Sequence, residues 1–189
     1  MIKLSKRNAV ILALVLSVVM WATRGHHVAA LTHLPDASWA IFFMLGFYFR
    51  SRVVLPLFLV QAALVDYVAI TQFGVNAYCV TPAYAFLLPA YSALWLGGKW
   101  YAAHYQFQVR SLPLFAAAAV VGSAVCELIS SGSFYFLGGR FADNSLAEFA
   151  SRLLRYFPAN LENVALYLGL AALIHMLIAS IQHSAAAKQ

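Results

Sequence analysis

Charge is scarce in this chain. Only 10% of its 189 residues are Asp, Glu, Lys or Arg, where a soluble domain carries about a quarter. Cysteine is rarer: Cys79 and Cys126 are the only two, with no C-x-x-C pair. Two are too few for a disulfide framework. No His-x3-His or His-Glu-x-x-His spacing occurs, which argues against a resident zinc site. His175 lies deep in the last apolar run without a partner at matching depth, so haem is equally unsupported. No nucleic-acid-binding pattern and no lipidation motif is present.

What fills the chain is apolar: 63% of residues are hydrophobic. That excess needs lipid as solvent, so an all-α, polytopic membrane protein is expected as a single domain over residues 1–189. Six apolar runs read as spans, over residues 8–23, 36–50, 53–72, 82–98, 112–136 and 161–181. All but the second approach the roughly 20 residues that cross hydrocarbon. The basic start, Lys3 to Arg7, resembles a secretory signal, but bulky Met20 and Trp21 stand where a small-x-small cleavage site belongs. It is read as an uncleaved first span.

Orientation follows from charge. With both termini inside, the inner ends carry Lys3, Lys6, Arg7, Arg50, Arg52, Lys99, Arg110 and Lys188. The outer segments carry Arg24, Arg140, Arg152 and Arg155, eight cations against four, as the positive-inside rule requires. The six acids, Asp36, Asp66, Glu127, Asp143, Glu148 and Glu162, all fall on the outer side. That one-sidedness suggests an outward-facing polar site. In the loop before the sixth run, Ser145-Leu146-Ala147-Glu148 fits a capping box, and Leu146, Phe149, Leu153 and Phe157 recur at helical spacing. A short amphipathic helix over 145–157 is expected, as a lid or as a connector resting in the headgroups.

Cys79 stands in an uncharged stretch between the third and fourth runs. Its thiol has four possible fates: metal ligand, nucleophile, disulfide partner with Cys126, or idle small residue. Thr81-Pro82 reads as a helix start, an N-cap hydroxyl before Pro at the first helical position. A helix dipole there would favour a thiolate at Cys79. Asp66 lies near the outer end of the third run, where an ionisable group costs several kcal/mol if left in lipid. Glu127 is similar, or simply bonds a neighbouring helix through Ser130 or Ser131. Tyr84 and Tyr91, seven apart, share a face, and with Tyr67, Phe73 and Tyr78 they could wall a pocket or belong to an aromatic belt. Ala9-x3-Ala13-x3-Ser17 and Ala118-x3-Gly122 are small-residue stripes that permit close helix contact.

Taken with the span order, four positions carry a family resemblance: His27, Asp66, Cys79 and Tyr84, the last two within Cys79-Val80-Thr81-Pro82-Ala83-Tyr84. The chain resembles the substrate-binding S-components of energy-coupling-factor vitamin transporters, and among them the BtuM-type cobalamin transporters. The resemblance implies uptake of cobalamin (vitamin B12) across the bacterial inner membrane. It implies that Cys79 ligates the cobalt from one axial side and allows removal of cyanide from cyanocobalamin. His27, Asp66 and Tyr84 would then bond the corrin rim or position the thiol. No resident cofactor is implied; cobalamin is the substrate. An ATPase module could dock on the first span through Ala9 and Ala13, or be dispensable. Two other readings stand beside this one. The first is an exosortase-like thiol enzyme using Cys79, His27 and Arg24. The second is an S-component for another vitamin.

Overall fold

The computed structural model describes residues 5–24, 34–142 and 144–186. Six α-helices account for most of them, and no strand occurs among the described residues. They are α1 (Lys6–Arg24), α2 (Ser38–Tyr48), α3 (Val54–Phe73), α4 (Leu87–His104), α5 (Leu112–Leu137) and α6 (Leu146–Ala186). Gly74 ends α3 with φ +66°, a left-handed conformation that glycine adopts without steric cost.

Four stretches are long and apolar enough to cross a membrane: Lys6–Arg24, Val54–Phe73, Val109–Leu137 and Leu146–Ser180. They match the first, third, fifth and sixth expected spans; the fourth, expected over 82–98, is the 3-10 turn Pro82–Phe86 followed by α4 and is not among them. The second differs. At 11 residues, α2 is about 16 Å long, roughly half of a hydrocarbon core. It lies at the centre of the bundle. Ala40, Ile41, Phe42, Phe43 and Leu45 are all buried to 1% exposure or less. A helix that is apolar all round has to be covered all round.

Glycine sets how closely the core helices approach. Gly46 of α2 faces the Trp95 carbonyl of α4, and Gly98 of α4 faces the Phe43 carbonyl of α2. A side chain at either position would enter the opposite backbone. On the far side of α4, a Cβ at Gly97 would lie 3.2 Å from the Ala118 carbonyl, and one at Gly122 3.7 Å from Leu94 Cα. The Ala118-x3-Gly122 stripe therefore seats α5 on α4. On α1, Ala9, Ala13 and Ser17 are half-buried. The Ser17 carbonyl accepts a bond from Gln61 Nε2 of α3 at 2.9 Å.

The expected lid helix and the sixth span are one element. α6 runs through Pro158 without a break; the proline removes only one main-chain bond, to the Leu154 carbonyl. Its start is half of a capping box. The Ser145 hydroxyl accepts the Glu148 N–H at 3.1 Å. The Ser145 N–H goes to the Tyr135 hydroxyl at 3.2 Å, and Glu148 pairs with Arg152 at 3.0 Å.

His175 has the partners its sequence position concealed. At the end of the bundle away from Cys79, its ring nitrogens lie 3.2 Å from the Tyr48 hydroxyl and 2.9 Å from that of Tyr105. Elsewhere, large apolar side chains such as Leu14, Val18, Val60, Leu64, Leu173 and Leu177 are at least half exposed. A helical surface of this kind suits a bilayer, where every backbone group is already bonded within its helix.

Candidate functional site

Cys79 closes a 3-10 turn, Ala77–Cys79, that Asn76 starts by accepting the Tyr78 N–H on its side chain at 2.9 Å. The thiol is exposed, Cys126 is buried, and both are free, so the expected disulfide alternative is not formed. Thr81 departs from expectation. Its hydroxyl caps nothing and is buried without a partner. Its carbonyl instead accepts the Tyr84 N–H at 2.9 Å. Pro82 opens a 3-10 turn, Pro82–Phe86, and the α-helix begins only at Leu87. The α-helix terminus that was to sit beside Cys79 is thus displaced along the chain by the extra turn.

That turn has a positional result: it brings Tyr84 onto Asp66. The Tyr84 hydroxyl donates to Asp66 Oδ2 at 2.6 Å. Asp66 also receives a bidentate pair from Arg24, Nε to Oδ1 and Nη2 to Oδ2, each 2.7 Å. The remaining Arg24 nitrogen, Nη1, donates to Tyr91 at 2.7 Å and Ser38 at 3.1 Å. It lies 3.8 Å from Asp36. Asp36 in turn accepts from the Ser38 N–H and hydroxyl at 2.8 and 2.6 Å. The Arg24 side chain is only 8% exposed, and a guanidinium withdrawn from water needs this full set of acceptors. One cation thereby ties the end of α1 to α2, α3 and α4. Tyr91 is held from behind by Phe42, stacked at 4.4 Å.

The polar cluster forms one wall of a cavity of about 680 Å³, within the range of roughly 300–1,000 Å³ usual for ligand pockets. Cys79, Asp66, Tyr84 and Tyr91 all line it. Glu127, Ser130 and Ser131 of α5 line another part. A rim of rings completes it. Tyr78 meets Phe134 edge-on at 5.7 Å, and Tyr135 stacks on Phe149 at 5.6 Å. The Arg152 guanidinium lies over Phe141 at 4.5 Å, a favourable cation–π distance.

Three of the four residues singled out from sequence are therefore together: Asp66, Cys79 and Tyr84. The fourth, His27, lies outside the described residues. Among the described residues no imidazole lines the cavity, and no group of three or more His, Cys, Asp or Glu gathers that could hold a metal. Sequence reasoning placed Arg24 as an outer cation and as a candidate of the thiol-enzyme reading, not as the partner of Asp66. Its signal was a charge one residue past an apolar run, opposite Asp66 at the end of another. Two such charges at the same depth of a bundle are natural partners.

The class of protein defined by these features is an all-helical chain with four helices of membrane-spanning length and a polar, thiol-bearing cavity at one end of the bundle. No protein-family model and no curated protein matches the chain.

Proposed function

We propose that this protein binds cobalamin in the outward-facing cavity and carries it across the bacterial inner membrane, with Cys79 as an axial ligand to the substrate's cobalt. The observation that supports this best is the exposed Cys79 thiol in the wall of a large cavity, beside the Asp66–Tyr84 pair. Thiolate is a soft ligand, suited to a metal that arrives with its other coordination positions filled. A corrinoid is larger than the cavity, so part of it would protrude between the aromatic rings of the rim. Cyanide removal would be ligand exchange. The cobalt–carbon bond to cyanide breaks, a cobalt–sulfur bond forms, the thiol proton leaves with cyanide, and cobalt keeps its oxidation state.

The Asp66 oxygens are occupied by Arg24 and Tyr84. In this reading Asp66 positions Tyr84 rather than gripping the corrin rim itself. The thiol-enzyme reading draws on the same exposed Cys79, but its base would have to be His27.

The test is the visible spectrum of the purified protein with cyanocobalamin. Wild type is expected to show a shifted corrin band and to release cyanide. Cys79→Ala is expected to lose both while retaining the fold, because the side chain it truncates is exposed. Identical bound-vitamin spectra in the two proteins would remove cobalt ligation from the account. Cys79-dependent labelling by an acyl electrophile, with no corrinoid bound, would favour the thiol enzyme.

A further inference from the structure

Glu127 is, among the described lining residues, the one acid with no cation within 4 Å. Among the described lining residues, the acids are Asp36, Asp66 and Glu127, and the bases are Arg24 and Arg152. Arg24 is held by Asp66 at 2.7 Å and lies 3.8 Å from Asp36. Arg152 is paired with Glu148 at 3.0 Å. Glu127 is only 3% exposed, and its two neighbours are neutral. Ser131 donates to Oε1 at 2.6 Å and Asn160 of α6 to Oε2 at 3.0 Å. Both oxygens accept a hydrogen bond.

The hydroxyls beside it have no hydrogen to offer a ligand. Ser131 spends its own on Glu127, and Ser130 donates to the Cys126 carbonyl at 2.8 Å. Lone pairs remain on all of these oxygens. The α5 wall of the cavity is thus rich in acceptors. A ligand that settles against it has to bring N–H donors. Asn160 already shows the group that fits, a primary carboxamide donating to Glu127.

We infer that Glu127 selects corrinoids whose rim carries carboxamides over those in which a carboxamide is replaced by a carboxylate. This rests on the cobalamin reading above. The carboxamide supplies donors to the acceptor wall. A carboxylate supplies none and sets its own lone pairs against those of the wall.

Binding of cyanocobalamin and of its peripheral monocarboxylates, each with one carboxamide hydrolysed, tests this on the detergent-purified protein. Wild type is expected to prefer the intact amide over at least one monocarboxylate by at least about tenfold, or roughly 1.4 kcal/mol. Glu127→Gln has the same shape but puts an NH2 donor in place of one acceptor oxygen, and the preference should fall to within about threefold. Asn160→Ala keeps Glu127 and frees its Oε2 as an acceptor for the ligand, so the preference should rise. This second variant carries the test if Glu127→Gln is not monodisperse. An equal preference in wild type and the folded variants overturns the inference. Wild type that binds amide and carboxylate alike overturns it while leaving the cobalamin reading intact. Wild type that binds neither overturns both.

Discussion

Gly98→Ala should prevent the bundle from assembling, although it adds a single methyl group. The new Cβ would be driven into the Phe43 carbonyl oxygen and lie 2.9 Å from the Phe43 carbonyl carbon and 3.1 Å from the Phe47 nitrogen. Those atoms are backbone, in the middle of the most buried helix of the protein, and no rotamer change can move them aside. Overpacking a core usually costs about 1–3 kcal/mol, and more where the surroundings cannot yield. Here α2 would have to withdraw from α4 along its whole length, which also exposes Phe42, Phe43 and Leu94. The expected result is aggregated protein on size exclusion of detergent extracts. Gly169→Ala is the control, since nothing lies within 4 Å of a Cβ at that position, and it should elute as wild type. Monodisperse Gly98→Ala with an unchanged melting temperature would contradict the helix contact described.

Arg24→Ala should be the most damaging charge removal. It leaves Asp66 with only Tyr84 as donor and Asp36 with only Ser38. Two carboxylates then face a cavity wall that has lost its cation. Breaking a fully buried pair costs about 3–5 kcal/mol. The Asp66 and Asp36 side chains keep 24% and 33% exposure, so about 2–3 kcal/mol is expected. Cys126, buried to 0% exposure, provides the readout. In a Cys79→Ala background, the temperature at which Cys126 reacts with a thiol dye reports opening of the bundle. Adding Asp66→Asn to Arg24→Ala should restore part of the lost stability, because one stranded charge goes with it. Simple additivity of the two changes would mean that the residues do not act as a pair. Ligand affinity should fall in the single variant as well, since Tyr84 loses the partner that holds its anchor.

How far the site was legible depended on what each residue contrasts with. Asp66 and Glu127 stood out because an acid in an apolar run is costly unless bonded. Cys79 stood out because it lies in a short uncharged loop. Their bonding could not be read from the chain. Arg24 and Asp66 are 42 positions apart, and Glu127 and Asn160 are 33 apart. Thr81-Pro82 misled for a local reason. The pair is compatible with either an α-helical or a 3-10 start, and the choice fell to the Tyr84–Asp66 bond, which the 3-10 turn allows. The gap expected between the helix over 145–157 and the span over 161–181 does not occur either, because α6 continues through Pro158.

By itself, the sequence determined that the chain is helical and that its long helices are apolar enough to cross a membrane. Long apolar runs with few charges can satisfy their backbone in lipid only as helices, and four of them do have spanning length. It also determined which ionisable groups needed partners. The tertiary structure alone decided that α2 is the centre of the bundle. Hydropathy measures how apolar a helix is, not whether lipid or protein covers it. The same holds for the glycines. Gly46 and Gly98 are ordinary small residues in the chain, and only the approach of two backbones makes them irreplaceable. Tertiary structure likewise turned Arg24, Asp66 and Tyr84 into one cluster and left Glu127 with no cation within 4 Å among the described residues, because pairing of charges is decided by distance in space.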